Sequence, residues 1–312
     1  MTSYNKKINI ITYHYVRNLN SKLFPDLKVL ELNKFEKQIK YLKKKFEILS
    51  FEEINFLLKK NLKFPKNACW LTFDDGYSDH YKNVLPILKK NKIFGSFFPS
   101  VTYGNKKTLL DVNKIQIILA TVSNYDLIIT DLKKYILKYK SVSKIINYEK
   151  IYKKYFISNN FDNVKVSFIK RVLQYGLPLK LRKKIINKLY LKYIPFKETD
   201  LAKKFYISEK QIKKLQDNGM HIGGHGINHI RLSESNPDDQ ENEIKKTYDF
   251  LKSIGVNMNN WVMCYPYGQY NKDTIKILKR YNCYLGLTIN KGVADFNSDN
   301  YLKLPRIDTN YI

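Results

Sequence analysis

Short apolar runs alternate with amphipathic helical patterns at both ends of this chain, and that alternation restricts its fold more than any other feature. Ile8 to Tyr13 (INIITY) is apolar and β-branched. Asn33 then opens a pattern in which Phe35, Ile39, Leu42 and Phe46 share one helical face. Glu47 to Leu49 reads as a second short strand, and Ser50 with Glu53 as a capping box that starts a helix to about Lys60. Ala68 to Phe73 (ACWLTF) reads as a buried strand running directly into Asp74-Asp75-Gly76. A helix to about Asn91 and a strand at Gly95 to Pro99 follow. Far along the chain the pattern resumes. Ser208 and Gln211 cap a helix that Gly219 stops, and Ile222 marks a short strand. Asn236-Pro237 with Asp238 and Asp239 opens a helix that ends at Gly255, because Pro fits a first turn and acids favour the positive helix end. Trp261 to Tyr265 and Cys283 to Thr288 read as strands around a helix from Asp273 to Tyr281. Such alternation predicts a parallel α/β sheet or barrel.

Between these ends, from about Tyr103 to Ile207, glycine nearly vanishes and amphipathic Lys/Tyr/Ile/Leu patterns dominate. Asp131 to Tyr139 and Leu179 to Tyr193 are examples, with breaks at Asn159-Asn160 and Gly176-Leu177-Pro178. This stretch reads as a mainly helical insertion. The expected organisation is a single domain over 1–312, with the barrel built from 8–100 and 208–312 and the insertion spanning 103–207.

The formal charge of +28 invites a nucleic-acid reading, yet only six of the 56 basic residues are Arg. Lys is spread along the whole chain and no zinc-finger or RNA-recognition signature appears, so nucleic acid is not an expected partner. Weak peripheral contact with an anionic membrane surface is the retained electrostatic reading. No apolar run approaches a membrane span. The start lacks the apolar core and cleavage site of a signal peptide, so the expected location is cytoplasmic, with membrane association at the inner face as an option. Cys69, Cys264 and Cys283 form no C-x-x-C pair, which excludes a disulfide framework or a cysteine-rich zinc site.

Three of the five histidines, His221, His225 and His229, lie within nine residues. His225 and His229 are spaced to meet one ion from a single helical turn. No Glu follows His225, which excludes the H-E-x-x-H pattern, so a metal needs a carboxylate from elsewhere. Asp74-Asp75 offers one at the end of a buried strand, where α/β folds place ligands. Neighbours on an extended chain point opposite ways, so the two carboxylates can take different roles. Taken alone, Asp-Gly is an ordinary turn pair.

Together these residues resemble a family. Leu71-Thr-Phe-Asp-Asp-Gly-Tyr77, His225-Gly-Ile-Asn-His229 and Tyr265-Pro-Tyr-Gly268 look like the first three motifs of the polysaccharide deacetylases, the NodB-like carbohydrate esterases of family four. The resemblance implies a distorted (β/α) barrel. It implies a hydrolase that uses a divalent metal, often zinc, to remove acetyl groups from sugars. Carried over by position, Asp74 is the general base, Asp75, His225 and His229 are the metal ligands, and the backbone amide of Tyr267 holds the oxyanion. Two departures stand out. Cys264 occupies the place of an Arg that normally pairs with the base, and no His follows His229 to act as general acid. Arg306 is the candidate to hold Asp74 instead, with a solvated surface Arg as the alternative. His14, in Ile11-Thr-Tyr-His-Tyr-Val16, resembles the YH segment of a permuted subgroup whose acid-bearing strand comes first. The alternative is a histidine packed at a strand end. His221 reads as structural and His80 as an exposed residue at a helix start.

The expected function is removal of an N-acetyl or similar acyl group from an amino sugar in a polysaccharide or glycan precursor, with a lipid- or nucleotide-linked unit among the expected substrates. A catalytically impaired carbohydrate-binding protein on the same fold and a basic nucleic-acid-binding protein are the rival readings.

Overall fold

Nine strands are present among the described residues of the computed structural model, which are 5–18, 24–100, 108–139, 147–158 and 162–312. They are β1 (Lys7–Tyr13), β2 (Glu47–Ile48), β3 (Ala68–Asp75), β4 (Ser96–Pro99), β5 (His221–Ile222), β6 (Val262–Cys264), β7 (Leu285–Lys291), β8 (Ala294–Asp295) and β9 (Leu304–Asp308). The sheet runs β5-β4-β3-β1-β9-β7-β6, with β2 added to β3 and β8 to β1. Every pairing along that path is parallel. Just past β5, the Gly224 amide donates to Val262 O at 2.9 Å and its carbonyl accepts from Cys264 N at 2.8 Å. That parallel bridge joins the two edge strands and closes a distorted (β/α) barrel.

The strand period of two sorts the core. Cys69, Leu71 and Phe73 of β3 join one apolar cluster with Phe35, Ile39 and Leu42 of the helix Leu32–Lys45. Ala68 and Trp70 join the other, with Val262, Leu285 and Leu304 from across the barrel. Thr72 and Asp74 continue the second line, so the alternation that buries Trp70 also turns Asp74 inward. Because the strands are parallel, their C-terminal ends share one mouth, where ligands of such folds sit.

The local signals hold. Both capping boxes form, at Ser50/Glu53 ahead of Phe51–Lys59 and at Ser208/Gln211 ahead of Glu209–Asp217. Asn236 caps Pro237–Ser253. The helix expected to run on to Asn91 is different at its start. It opens as a π-turn, His80–Val84, before the α-helix Leu85–Asn91. Pro86 accounts for this: it has no amide hydrogen, and its ring crowds the carbonyl four residues back, so the preceding turn widens.

The described residues of 1–18, 29–108 and 202–312 form one compact unit, and those of 19–28 and 109–201 a second. The first holds the barrel. The second holds the helices Asp111–Thr121, Tyr125–Tyr139, Tyr148–Tyr155, Val164–Arg171 and Leu179–Tyr193. Within it, Asp131 accepts from Lys192 and from the Tyr193 hydroxyl, and Lys114 pairs with Glu198 at 2.8 Å. The expected start at Tyr103 and the break at Asn159-Asn160 lie outside the described residues. Among those described, no helix is long and apolar enough to cross a membrane.

His221 begins β5 with its ring stacked on Phe51 at 3.9 Å, and among the described residues neither ring nitrogen has a hydrogen-bond partner. Burial pushes its pKa down to about 3. The unfolded chain takes up this proton near pH 6.5, while the folded one refuses it until near the depressed value. Stability is therefore unaffected above pH 6.5 and falls as the pH drops below it. His221→Phe should keep the stack and remove about 1 kcal/mol of that loss per pH unit. Urea melts of both proteins at pH 7 and pH 4.5 check this, and parallel losses would refute it.

Candidate active site

Asp74 ends the straight part of β3, and at Asp75 the chain leaves extended geometry. Asp75 has φ +69° and Gly76 φ +66°. A left-handed residue with a side chain is strained, and the Asp75 carboxylate is anchored in return. The Tyr77 hydroxyl donates to its Oδ2 at 2.7 Å. The kink sends the two carboxylates to separate partners.

Asp74 meets a guanidinium. Arg306 of β9 donates from both terminal nitrogens, to Oδ1 at 3.0 Å and Oδ2 at 2.7 Å. Such bidentate pairs fix geometry as well as charge. Arg306 is itself 1% exposed and is held by Thr288 O at 2.7 Å and Thr72 Oγ1 at 3.2 Å. Thr12 Oγ1 and Cys264 Sγ each donate to Asp74 Oδ2 at 3.3 Å. Burial raises the Cys264 pKa, so its sulfur stays a thiol and keeps its hydrogen. Burial is the largest single influence on Asp74 and opposes its ionisation, but the charge and hydrogen bonds of Arg306 together with the His225 charge overcome it, holding the carboxyl well below the usual range. Arg306 thus fills the gap that Cys264 leaves, and it is no surface residue.

Asp75 Oδ1 lies 3.2 Å from both His225 Nε2 and His229 Nε2. The two histidines do not ride on a helical turn, as their spacing suggested. They come from an irregular segment after β5 in which Gly226 has φ +74° and His229 φ +50°. A loop meets the same spacing because Glu243, 1% exposed on the helix behind it, takes the Asn228 amide at 2.5 Å and the Asn228 side chain at 2.9 Å. A Cβ on Gly226 would stand 2.9 Å from Glu243 Oε1, so only glycine lets the loop lie this close.

The trio suits a divalent ion. Ligand atoms around a tetrahedral ion with bonds of 2.0–2.1 Å stand about 3.4 Å apart. His225 Nδ1 donates to Cys264 O at 2.9 Å, so loss of the hydrogen that Nε2 shares with Asp75 would give an ion the Nε2 lone pair. Burial works against the charge on Asp75, and hydrogen bonds from His225 and His229 prevail, keeping it well below the normal carboxylate range. A second cluster, Asp74, His225 and Cys264, also has ligand atoms close together. It is the poorer site: Asp74 is committed to Arg306 and Cys264 remains a thiol.

The other expected residues fall around the same mouth. His14 follows β1, which lies between β3 and β9, so the first strand does stand beside the last. Its side chain is 42% exposed, with Nε2 4.0 Å from Asp74 Oδ2. Tyr267, at φ +57°, sets its ring 4.6 Å from that of His229. His221 stands apart from the trio, level with Ser96 of β4 and packed on Phe51 and Phe98. His80 corrects the expectation of exposure: it is fully buried among Phe73, Tyr77 and Phe97. Tyr77 and Glu243 were not anticipated. Tyr77 adjoins the Asp motif and was within reach of sequence reasoning, whereas nothing local marks Glu243.

Comparisons with known proteins agree with this geometry. The chain matches the polysaccharide deacetylase family model over residues 61–117 and 183–286, just over half its length. It is 20% identical over 299 residues to YxkH of Bacillus subtilis, a candidate polysaccharide deacetylase, covering 95% of this chain and 69% of that one. It is 38% identical over 95 residues to the poly-beta-1,6-N-acetyl-D-glucosamine N-deacetylase of Staphylococcus aureus. That match spans 27% of this chain and 32% of the enzyme. The deacetylase PplD of Streptococcus pyogenes, solved with acetate, has the same fold, with a TM-score of 0.58 at 21% identity over 97% of this chain and 92% of its own. The chain belongs to the polysaccharide deacetylase family and is a hydrolase acting on non-peptide carbon–nitrogen bonds.

Proposed function

We propose that this hydrolase is metal-dependent and removes the N-acetyl group from an amino-sugar unit of a polysaccharide or glycan precursor. The observation that carries the reading is the division of labour between adjacent carboxylates: Asp74 is held by Arg306, and Asp75 by two imidazoles. Likeness to the staphylococcal N-deacetylase supports an N-acetylglucosamine substrate, although the chain spans only about a third of that enzyme's length. A lipid- or nucleotide-linked unit is within the same proposal.

Asp75 Oδ1, His225 Nε2 and His229 Nε2 would hold the ion, with zinc the simplest fit to one carboxylate and two imidazoles. When bound, the ion supplies Lewis acidity at the acyl carbonyl. Asp74, kept ionised by Arg306, takes the proton from the attacking water. The backbone amide of Tyr267 donates to the oxyanion that forms at the carbonyl oxygen. His14, partly exposed with Nε2 4.0 Å from Asp74 Oδ2, gives a proton to the departing amine. The Arg306–Asp74 pair favours this active reading over an impaired binding protein.

The test is acetate release from β-1,6-linked N-acetylglucosamine oligomers, with elemental analysis of the same samples. The purified protein should carry about one divalent ion per chain, and Asp75→Ala, His225→Ala and His229→Ala should each remove it and abolish turnover. Full occupancy in all three variants would overturn the ligand assignment. His14→Ala should keep the ion and lower turnover by roughly a hundredfold.

A further inference from the structure

We propose that His80 is a positioning residue for His14, the centre of a clamp through which the turn after Asp74-Asp75 fixes the proposed acid relative to the base. The proposal rests on the assignment of His14 as that acid.

His80 Nε2 lies 2.9 Å from the His14 carbonyl oxygen. A carbonyl only accepts, so Nε2 carries the hydrogen. Burial lowers the His80 pKa, and the neutral ring has a single N–H, which it gives to His14. The ring cannot swing away. Phe73, Tyr77 and Phe97 enclose it with centroids 5.7, 5.8 and 5.7 Å from its own.

Two neighbours from the same turn grip the next residues. Asp79 Oδ2 accepts from Val16 N at 3.1 Å and Arg17 Nε at 2.8 Å. Asn83 Nδ2 donates to Val16 O at 2.7 Å. Asp79, His80 and Asn83 thus tie the main chain at His14 and Val16, while the His14 side chain stays 42% exposed at the mouth. The segment they come from includes the π-turn His80–Val84, a wide turn that recurs at functional sites. On its other side His14 adjoins β1, whose Tyr13 is in register with Phe73 of β3. Main chain on both sides of the imidazole is therefore tied to the piece of chain that carries Asp74.

The test compares His80→Gln, which presents an amide hydrogen at similar reach, with His80→Met, equally long and without one. With N-acetylglucosamine oligomers, His80→Met should lower kcat by roughly ten- to a hundredfold and change KM by less than about twofold, at full metal content. His80→Gln should recover most of kcat. In a His14→Ala background the Met and His enzymes should turn over equally, because the clamp then has nothing to position. Should His80→Met fail to fold, Asn83→Ala loosens the same segment and leaves the aromatic cage intact. It should show a smaller loss confined to kcat and the same dependence on His14. Slow His14→Ala beside equal Met and Gln variants overturns the positioning role alone. His14→Ala with unchanged kcat overturns the acid assignment and the positioning role with it. A His80→Met loss that persists undiminished without His14 also overturns the clamp.

Discussion

Asp74→Asn should leave the metal content unchanged and lower turnover by roughly a hundred- to ten-thousandfold. The substitution keeps size and shape. The amide oxygen can still accept from the Arg306 fork, so the mouth should keep its geometry. Only the capacity to take a proton is lost. The metal trio is insulated from the change, because it draws on Asp75, whose second oxygen is held by Tyr77. Equal metal content by elemental analysis, together with the collapse in acetate release, would separate the base from the ligands. A variant that retains more than a tenth of the activity would show that Asp74 is not the proton acceptor.

Arg306→Met should be the most damaging single change to stability, at about 3–5 kcal/mol, because it leaves a buried carboxylate without its counter-charge. Its pH signature is specific. In the native protein the Asp74 carboxyl titrates below its unfolded value, so it contributes stability above about pH 4. That contribution is lost as pH falls through the folded value. Without Arg306, burial is the largest influence left, and the carboxyl rises instead. The folded variant then holds a proton that the unfolded chain releases, so its stability falls as pH rises past about 4. Activity should lose its acid limb at a higher pH than in the native enzyme. Urea melts at pH 5 and pH 8 should show a fall in the variant that the native protein lacks, and unchanged melts with an unchanged acid limb would show that the pair has no such role.

What the sequence disclosed was decided by neighbours along the chain. Ala68 to Phe73 could be read as a strand because its apolar side chains serve both faces of a covered sheet. The boxes at Ser50 and Ser208 could be read because each is complete within four residues. The site's composition was readable as well, since Asp74, Asp75, His225 and His229 stand in short motifs. Its geometry was not. A spacing of four between two histidines suits a helix, but here Glu243, from the helix Pro237–Ser253, shapes a loop that satisfies it. His80 resembles a surface residue beside Tyr81 and Lys82, and only the packing of β3 and β4 against it makes it interior. Arg306 looked equally suited to solvent until β9 placed it beside β1. In each case a distant segment decided the environment.

The position of β1 between β3 and β9 also sets an order in time. Asp74 and Arg306 are separated by 232 residues. At about 5–20 residues per second, a ribosome needs roughly ten to fifty seconds to pass from one to the other. Through that interval the emerging strand β3 carries a carboxylate with no guanidinium to accompany it into the interior, and β1 has one flank unfilled. Neither the ring of strands nor the ionised base can be completed until β9 has left the exit tunnel. On the proposed roles of Asp74 and Arg306, hydrolytic competence should arrive only with the finished barrel, and a nascent or truncated chain that stops short of Leu304 should release no acetate from N-acetylglucosamine oligomers.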